Sequence, residues 1–146
     1  MKTIVGFLVA LCFFGVNAFA QVPAPAKDDP IKVVYHFDGG LEQATKGLRN
    51  IKNQLDTAPK TKIVAVAHAQ GVQFLLDGAV NATGNPFNVN VEELEARGVE
   101  FRVCEITLKS NKIDPKKLIP QAKLVPSGVV EISRLQAKEG FVYLKP

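Results

Sequence analysis

The sequence predicts an α/β fold: a single three-layer domain with a five-stranded, mainly parallel sheet and helices on both faces. Five short runs rich in β-branched and aromatic residues alternate with stretches of helical apolar period, giving the order βαβαβαβαβ over about 115 residues. The run at 62–68, Lys-Ile-Val-Ala-Val-Ala-His, is apolar almost without interruption, as befits an inner strand covered on both faces. The length of 146 residues suits one domain with a real core and is too short for two of ordinary size.

Residues 1–20 stand apart from that domain. Lys2 gives a positive start, 4–16 is an apolar run too short to span a bilayer, and Ala18-Phe19-Ala20 is a small-x-small cleavage site. This stretch reads as a signal peptide cut after Ala20, so the expected location is the periplasm or the exterior. Cys12 lies inside the apolar run behind Leu11, where a lipoprotein site has a small residue, so neither a lipid anchor nor membrane attachment is expected after cleavage. Residues 21–30 hold three of the nine prolines and little that packs, and read as a flexible leader to a domain at 31–146. Without Lys2 the formal net charge of +4 becomes +3, with no basic run longer than Lys116-Lys117, which gives no support to nucleic-acid binding.

Within the domain, 31–37 (Ile-Lys-Val-Val-Tyr-His-Phe) is the first strand, closed by the turn signal Asp38-Gly39-Gly40. Residues 41–58 carry Leu41, Ala44, Leu48, Ile51 and Leu55 at spacings of three and four, with Glu42, Lys46, Arg49 and Lys52 opposite. That is an amphipathic helix, with Glu42 and Lys46 in the favourable i, i+4 order and Pro59 beyond its end. After the second strand, Gln70-Gly71 leads into a short helix at 72–79 whose Val72, Leu75, Leu76 and Ala79 share a face. Residues 81–90 read as a loop in which Phe87 either covers a site or subunit contact or tucks onto its own core. A helix at 91–97 follows, with Asn90 as cap and Gly98 as stop.

The third strand alternates Val99, Phe101 and Val103 with Glu100 and Arg102 and ends at Cys104. The pattern breaks at Thr107 and Leu108, and 109–113 reads as a turn or short helix. One helical turn at 114–119 begins on Asp114 with Pro115 at its first position. The fourth strand is 123–125, Ser127 caps a helix running to about Lys138, Gly140 closes it, and 141–144 is the last strand.

Parallel strands end on the same side, so residues distant in sequence meet on one rim, where open α/β sheets bind their ligands. That rim collects His36 and Asp38, His68 and Gln70, Cys104 to Thr107, and Ser127 with Gly128. It therefore holds both histidines and the single cysteine outside the signal peptide. A lone thiol has no internal disulfide partner, which leaves it a core residue, an intermolecular partner or a reactive group. A thiolate gains from a nearby imidazolium or a helix N-terminus, so His36 or His68 and the Ser127 helix end are expected to lower the Cys104 pKa. For each histidine the alternative is a turn residue bonding its own backbone. There is no Cys-x-x-Cys, hydrolase elbow, phosphate loop or dinucleotide fingerprint. No cofactor or metal is expected, since the histidine and cysteine spacing matches no ordinary zinc motif.

Five segments in order resemble the DsrE/DsrF-like family over nearly all of 31–146. They are Lys-Val-Val-Tyr-His-Phe at 32–37, Val-Ala-His-Ala-Gln-Gly-Val at 66–72, Gly-Val-Glu-Phe-Arg-Val-Cys at 98–104 with Thr107-Leu108, Val-Pro-Ser-Gly-Val at 125–129, and Gly-Phe-Val-Tyr-Leu-Lys-Pro at 140–146. The resemblance implies a Rossmann-like fold, a trimer or hexamer, and in the sulfur-relay members a cysteine that carries sulfur as a persulfide. Cys104 stands at the matching strand end. Two residues depart from the family pattern: Ile106 stands where many relatives have Asn, and Ala69 where many have Gly after the histidine.

The expectation is a periplasmic sulfur carrier or sulfurtransferase-like protein with Cys104, His68 and His36 in the chemistry. Asp38, Gln70, Thr107, Ser127 and Gly128 would bind substrate, and a sulfur donor or acceptor protein would be the partner. The alternative from another class is a non-catalytic oligomer that binds a small ligand or a metal on the same rim. Ile106 and the Phe87 loop lean toward it by making the rim more apolar.

Overall fold

The structure, a computed structural model, describes residues 30–146. The predicted signal peptide and all of the predicted leader except Pro30 lie outside the described residues. Strands β1 (Lys32–Phe37), β2 (Lys62–Ala67), β3 (Glu100–Cys104), β4 (Ala122–Val125) and β5 (Val142–Leu144) alternate with helices α1 (Leu41–Thr57), α2 (Phe87–Ala96), α3 (Glu105–Ser110) and α4 (Gly128–Glu139). The sheet order is β4-β3-β2-β1-β5 and every pair is parallel, as the βα alternation requires.

Strand alternation divides the core in two. Val33, Tyr35 and Phe37 of β1, Ile63, Ala65 and Ala67 of β2, and Phe101 and Val103 of β3 face α1 and α2. The α1 stripe of Ala44, Leu48, Ile51 and Leu55 closes that side. Val34, Val64 and Val66 face the other way, onto Ile132 and Leu135 of α4 and onto Phe141. Each large apolar side chain buried here contributes about 1.5–3 kcal/mol. Helices thus lie on both faces, with α4 packed over β1, β2 and β3.

Three segments depart from the local sequence pattern. The predicted helix at 72–79 is instead a 3-10 turn at Ala69–Leu75, which starts directly after His68 and buries Val72, Phe74 and Leu75. The chain crosses Phe37 too closely for a side chain there, since a Cβ on Gly71 would lie 2.1 Å from the Phe37 carbonyl oxygen. The predicted loop at 81–90 ends early, because α2 starts at Phe87 with Pro86, not Asn90, at its N-cap. Phe87 is 2% exposed and packs edge-on against Phe74, so it is core and no flap. This aromatic anchor overrides the modest helix propensity of Asn88, Val89 and Asn90. Finally, no loop separates β3 from the next helix: α3 begins at Glu105, so Cys104 is itself the N-cap residue and Thr107 and Leu108 are buried within the helix.

Candidate functional site

The register of the sheet builds a row of side chains. Val34 is opposite Val64 and Tyr143, and Val66 is opposite His36 and Arg102. Since Val34 and Val66 lie under α4, pleat alternation sends Tyr143, His36, His68 and Cys104 to the same face at the carboxyl rim. The four residues come from β5, β1, the end of β2 and the end of β3, which are neighbours in the sheet.

The two histidines the sequence placed on the rim meet directly. His36 Nε2 and His68 Nε2 are 2.6 Å apart, and His36 Nδ1 bonds the Tyr143 hydroxyl at 2.7 Å. The ring centroids are 4.7 Å apart, so the rings meet through their nitrogen edges. Two imidazole nitrogens at this distance share one proton, with one ring donating and the other accepting. Burial and the neighbouring His68 lower the His36 pKa below its ordinary value; Asp38 opposes them and Lys145 adds to them.

Cys104 is 5% exposed and free of any disulfide. Burial is the largest single influence on its thiol and pushes the pKa up. Opposing it are the polar groups nearest the thiol, the Gly128 N–H, the Thr107 hydroxyl and the N–H groups of Thr107 and Ile106, which together bring the pKa below the ordinary thiol value. The Thr107 hydroxyl accepts from the Ala69 N–H at 3.1 Å, which ties the start of the 3-10 turn to α3. Neither histidine contributes, which corrects the expectation that His36 or His68 lowers this pKa. The expected helix end does act, through Gly128 at the start of α4. Ser127 occupies the N-cap position, but its side chain makes no capping bond.

Gly128 also sets the spacing. A Cβ there would lie 3.1 Å from His68 Cβ and 3.2 Å from Cys104 Cβ, so bare backbone fits between the two side chains. His68 and Cys104 flank it, and no hydrogen bond joins them.

Asp38 is engaged elsewhere on the rim. Its carboxylate accepts from Lys145 Nζ at 2.6 Å and from Gln43 Nε2 at 3.1 Å, and it lies 4.0 Å from His36 Nε2. The bond from Lys145 is the main reason its pKa falls below the usual carboxylate range. Gln70 is exposed, with its amide oxygen near Gly40 at the start of α1. Neither residue is bonded to the thiol.

Sequence reasoning missed two features. Tyr143 reaches His36 because β5 pairs with β1, and only the strand order could have shown that. One pleat behind Cys104 on the same face, Arg102 pairs with Glu131 of α4 and with Glu100 at 2.9 Å, while Glu131 also accepts from Arg134 at 2.9 Å. This group pins the first turn of α4 to β3, and so holds the Gly128 N–H at the sulfur. The alternation of Arg102 in its strand and the i, i+3 spacing of Glu131 and Arg134 were visible signals.

Among the described residues, no group of three His, Cys, Asp or Glu side chains converges on a metal position, and no helix is long and apolar enough to cross a membrane. Residues 24–146 match the model of the DsrE/DsrF-like family. Among solved structures, the chain is similar to MTH1491 of Methanobacterium thermoautotrophicum, a protein of unknown function, with TM-score 0.70 and 28% identity over 80% of this chain and 99% of that one. It is also similar in fold to YchN of E. coli, with TM-score 0.67 and 18% identity over 80% of this chain and 99% of that one. No curated protein matches the sequence.

Proposed function

Since this chain belongs to the DsrE/DsrF-like family, we propose that it is a sulfur carrier of the sulfurtransferase-like kind, holding sulfane sulfur as a persulfide on Cys104. The observation that carries this reading is a free thiol, nearly buried at the carboxyl rim, placed at the N-cap of α3 with the start of α4 packed against it at Gly128, where backbone N–H groups and the Thr107 hydroxyl lower its pKa. Such donors stabilise negative charge on sulfur, first on the thiolate and then on the persulfide anion. The Cys104 thiolate attacks the sulfane sulfur of a donor; the Sγ–S bond forms, the donor's bond to that sulfur breaks, and the leaving group keeps the electron pair. An acceptor thiolate then attacks the outer sulfur and releases Cys104 as thiolate. The sequence features of residues 1–20 support the periplasm or exterior as its location, and the family supports a trimer or hexamer that works with a donor or acceptor protein.

The test is the intact mass of the protein after incubation with thiosulfate or polysulfide, with Cys104→Ser alongside. Increments of whole sulfur atoms are expected, removed by reductant and absent from the variant. An unmodified wild type whose thiol also resists alkylation sinks the reading and leaves the rim as a non-catalytic binding site.

A further inference from the structure

We propose that Tyr143, His36 and His68 form a proton relay across the rim that ends beside Cys104, giving a proton to the departing donor group and taking one from the incoming acceptor thiol. Its chemical role rests on the sulfur-carrier reading. Its geometry stands independently of it.

The relay follows from the contacts. Tyr143 is exposed and its hydroxyl bonds His36 Nδ1 at 2.7 Å, while His36 Nε2 meets His68 Nε2 at 2.6 Å. Each imidazole takes a proton on one nitrogen as it gives one up from the other, so two linked rings pass a proton without either becoming an isolated buried cation. Among the described residues, His68 Nδ1 has no protein partner, while the His68 Cβ and Cδ2 lie against Gly128, which separates His68 from Cys104. That nitrogen is the relay's open end. The other ionisable groups nearby are already committed: Asp38 to Lys145, and Glu131 of α4 to Arg102 and Arg134.

With thiosulfate as donor the step balances. Cys104 thiolate bonds the sulfane sulfur, the sulfur–sulfur bond of thiosulfate breaks, and sulfite leaves with the electron pair. Sulfite takes the proton of His68 Nδ1; the proton between the rings moves from His36 to His68; Tyr143 protonates His36 Nδ1 and is reprotonated by water. In the second half-reaction an acceptor thiol loses its proton to His68 Nδ1, and the chain of transfers runs backward. The two halves of sulfur transfer thereby reset the relay. Tyr143 and His36 act as positioning and relay residues, and His68 as the group that meets the substrate.

Two measurements test this. Nitrogen-15 NMR of the imidazoles should show scalar coupling across the hydrogen bond between His36 Nε2 and His68 Nε2; its absence near neutral pH overturns the relay. Single-turnover loading from thiosulfate, followed by quenched intact mass, should be slowed by about 10²-fold in His68→Gln, the usual scale for a positioned acid–base group. Tyr143→Phe, which removes only an exposed hydroxyl, should slow loading less, shift its pH profile and reduce its solvent deuterium effect while reaching the same final extent. Wild-type rates and pH profiles in both variants overturn the relay and leave the carrier reading standing. A wild type that never loads overturns the carrier reading and the relay's role together.

Discussion

At Cys104 burial pushes the thiol pKa up, and the polar groups of Gly128, Thr107 and Ile106 together outweigh it. At His36 burial and a neighbouring imidazole outweigh the opposing pull of Asp38 and disfavour the cation. With a folded pKa below the ordinary 6.5, the unfolded chain binds the proton more readily. This contribution to stability is therefore present above about pH 6.5 and lost as pH falls through the folded pKa. Urea midpoints should be level above that value and decline beneath it, and His36→Asn should flatten the decline. Asp38 and Glu131, whose folded pKa values lie below the ordinary 3.8 and 4.5, have the same sign but act in a more acid window. Ala69 shows a different residue-level cost. Its φ is +49°, a left-handed conformation that suits glycine. Ala69→Gly is expected to stabilise the fold by about 0.5–1 kcal/mol, net of the extra backbone entropy of glycine, and a thermal melt reads the gain.

The start of α4 is where an element's architecture bears on the electrostatics of the thiol. Gly128 is its first residue, a position that tolerates proline but needs an N–H if the sulfur is to be served. Gly128→Pro removes that N–H, whereas Gly128→Ala introduces the same Cβ against His68 and Cys104 and keeps the N–H. The pH midpoint of Cys104 alkylation should therefore lie higher in the proline variant than in the alanine variant; equal midpoints would show the amide to be irrelevant. Elements of this kind differ in how far the sequence revealed them. The long stripe of α1 and the uninterrupted apolar run of β2 were legible, because their periods extend over enough residues to be distinctive. The segments at Ala69–Leu75 and Glu105–Ser110 are too short for a period to show, and the start of α2 is set by where Phe87 packs. The rim residues followed from parallel strands alone, whereas the His36–Tyr143 contact depended on β5 adding beside β1.

For the molecule as a whole, apolar side chains remain uncovered. Val130 is 63% exposed and Ile106 58%, and Val129, Leu124, Val142 and Leu144 are exposed as well. Apolar surface of this kind on α4 and both edge strands favours self-association. The wild type is expected to sediment as a trimer or hexamer, and the double substitution Val129→Asp, Val130→Asp to weaken the assembly while leaving the circular dichroism of the fold intact; a wild type that sediments as a monomer at micromolar concentration overturns this. The row across the rim also has a consequence for the order in which the chain matures. Cys104 leaves the ribosome before Gly128 and Tyr143, and His36 and Tyr143 are 107 positions apart in the chain. Until residues 127–146 have docked, Cys104 lacks its Gly128 neighbour and His36 its Tyr143 partner. On the proposed reading, the reactivity of the thiol waits for that docking.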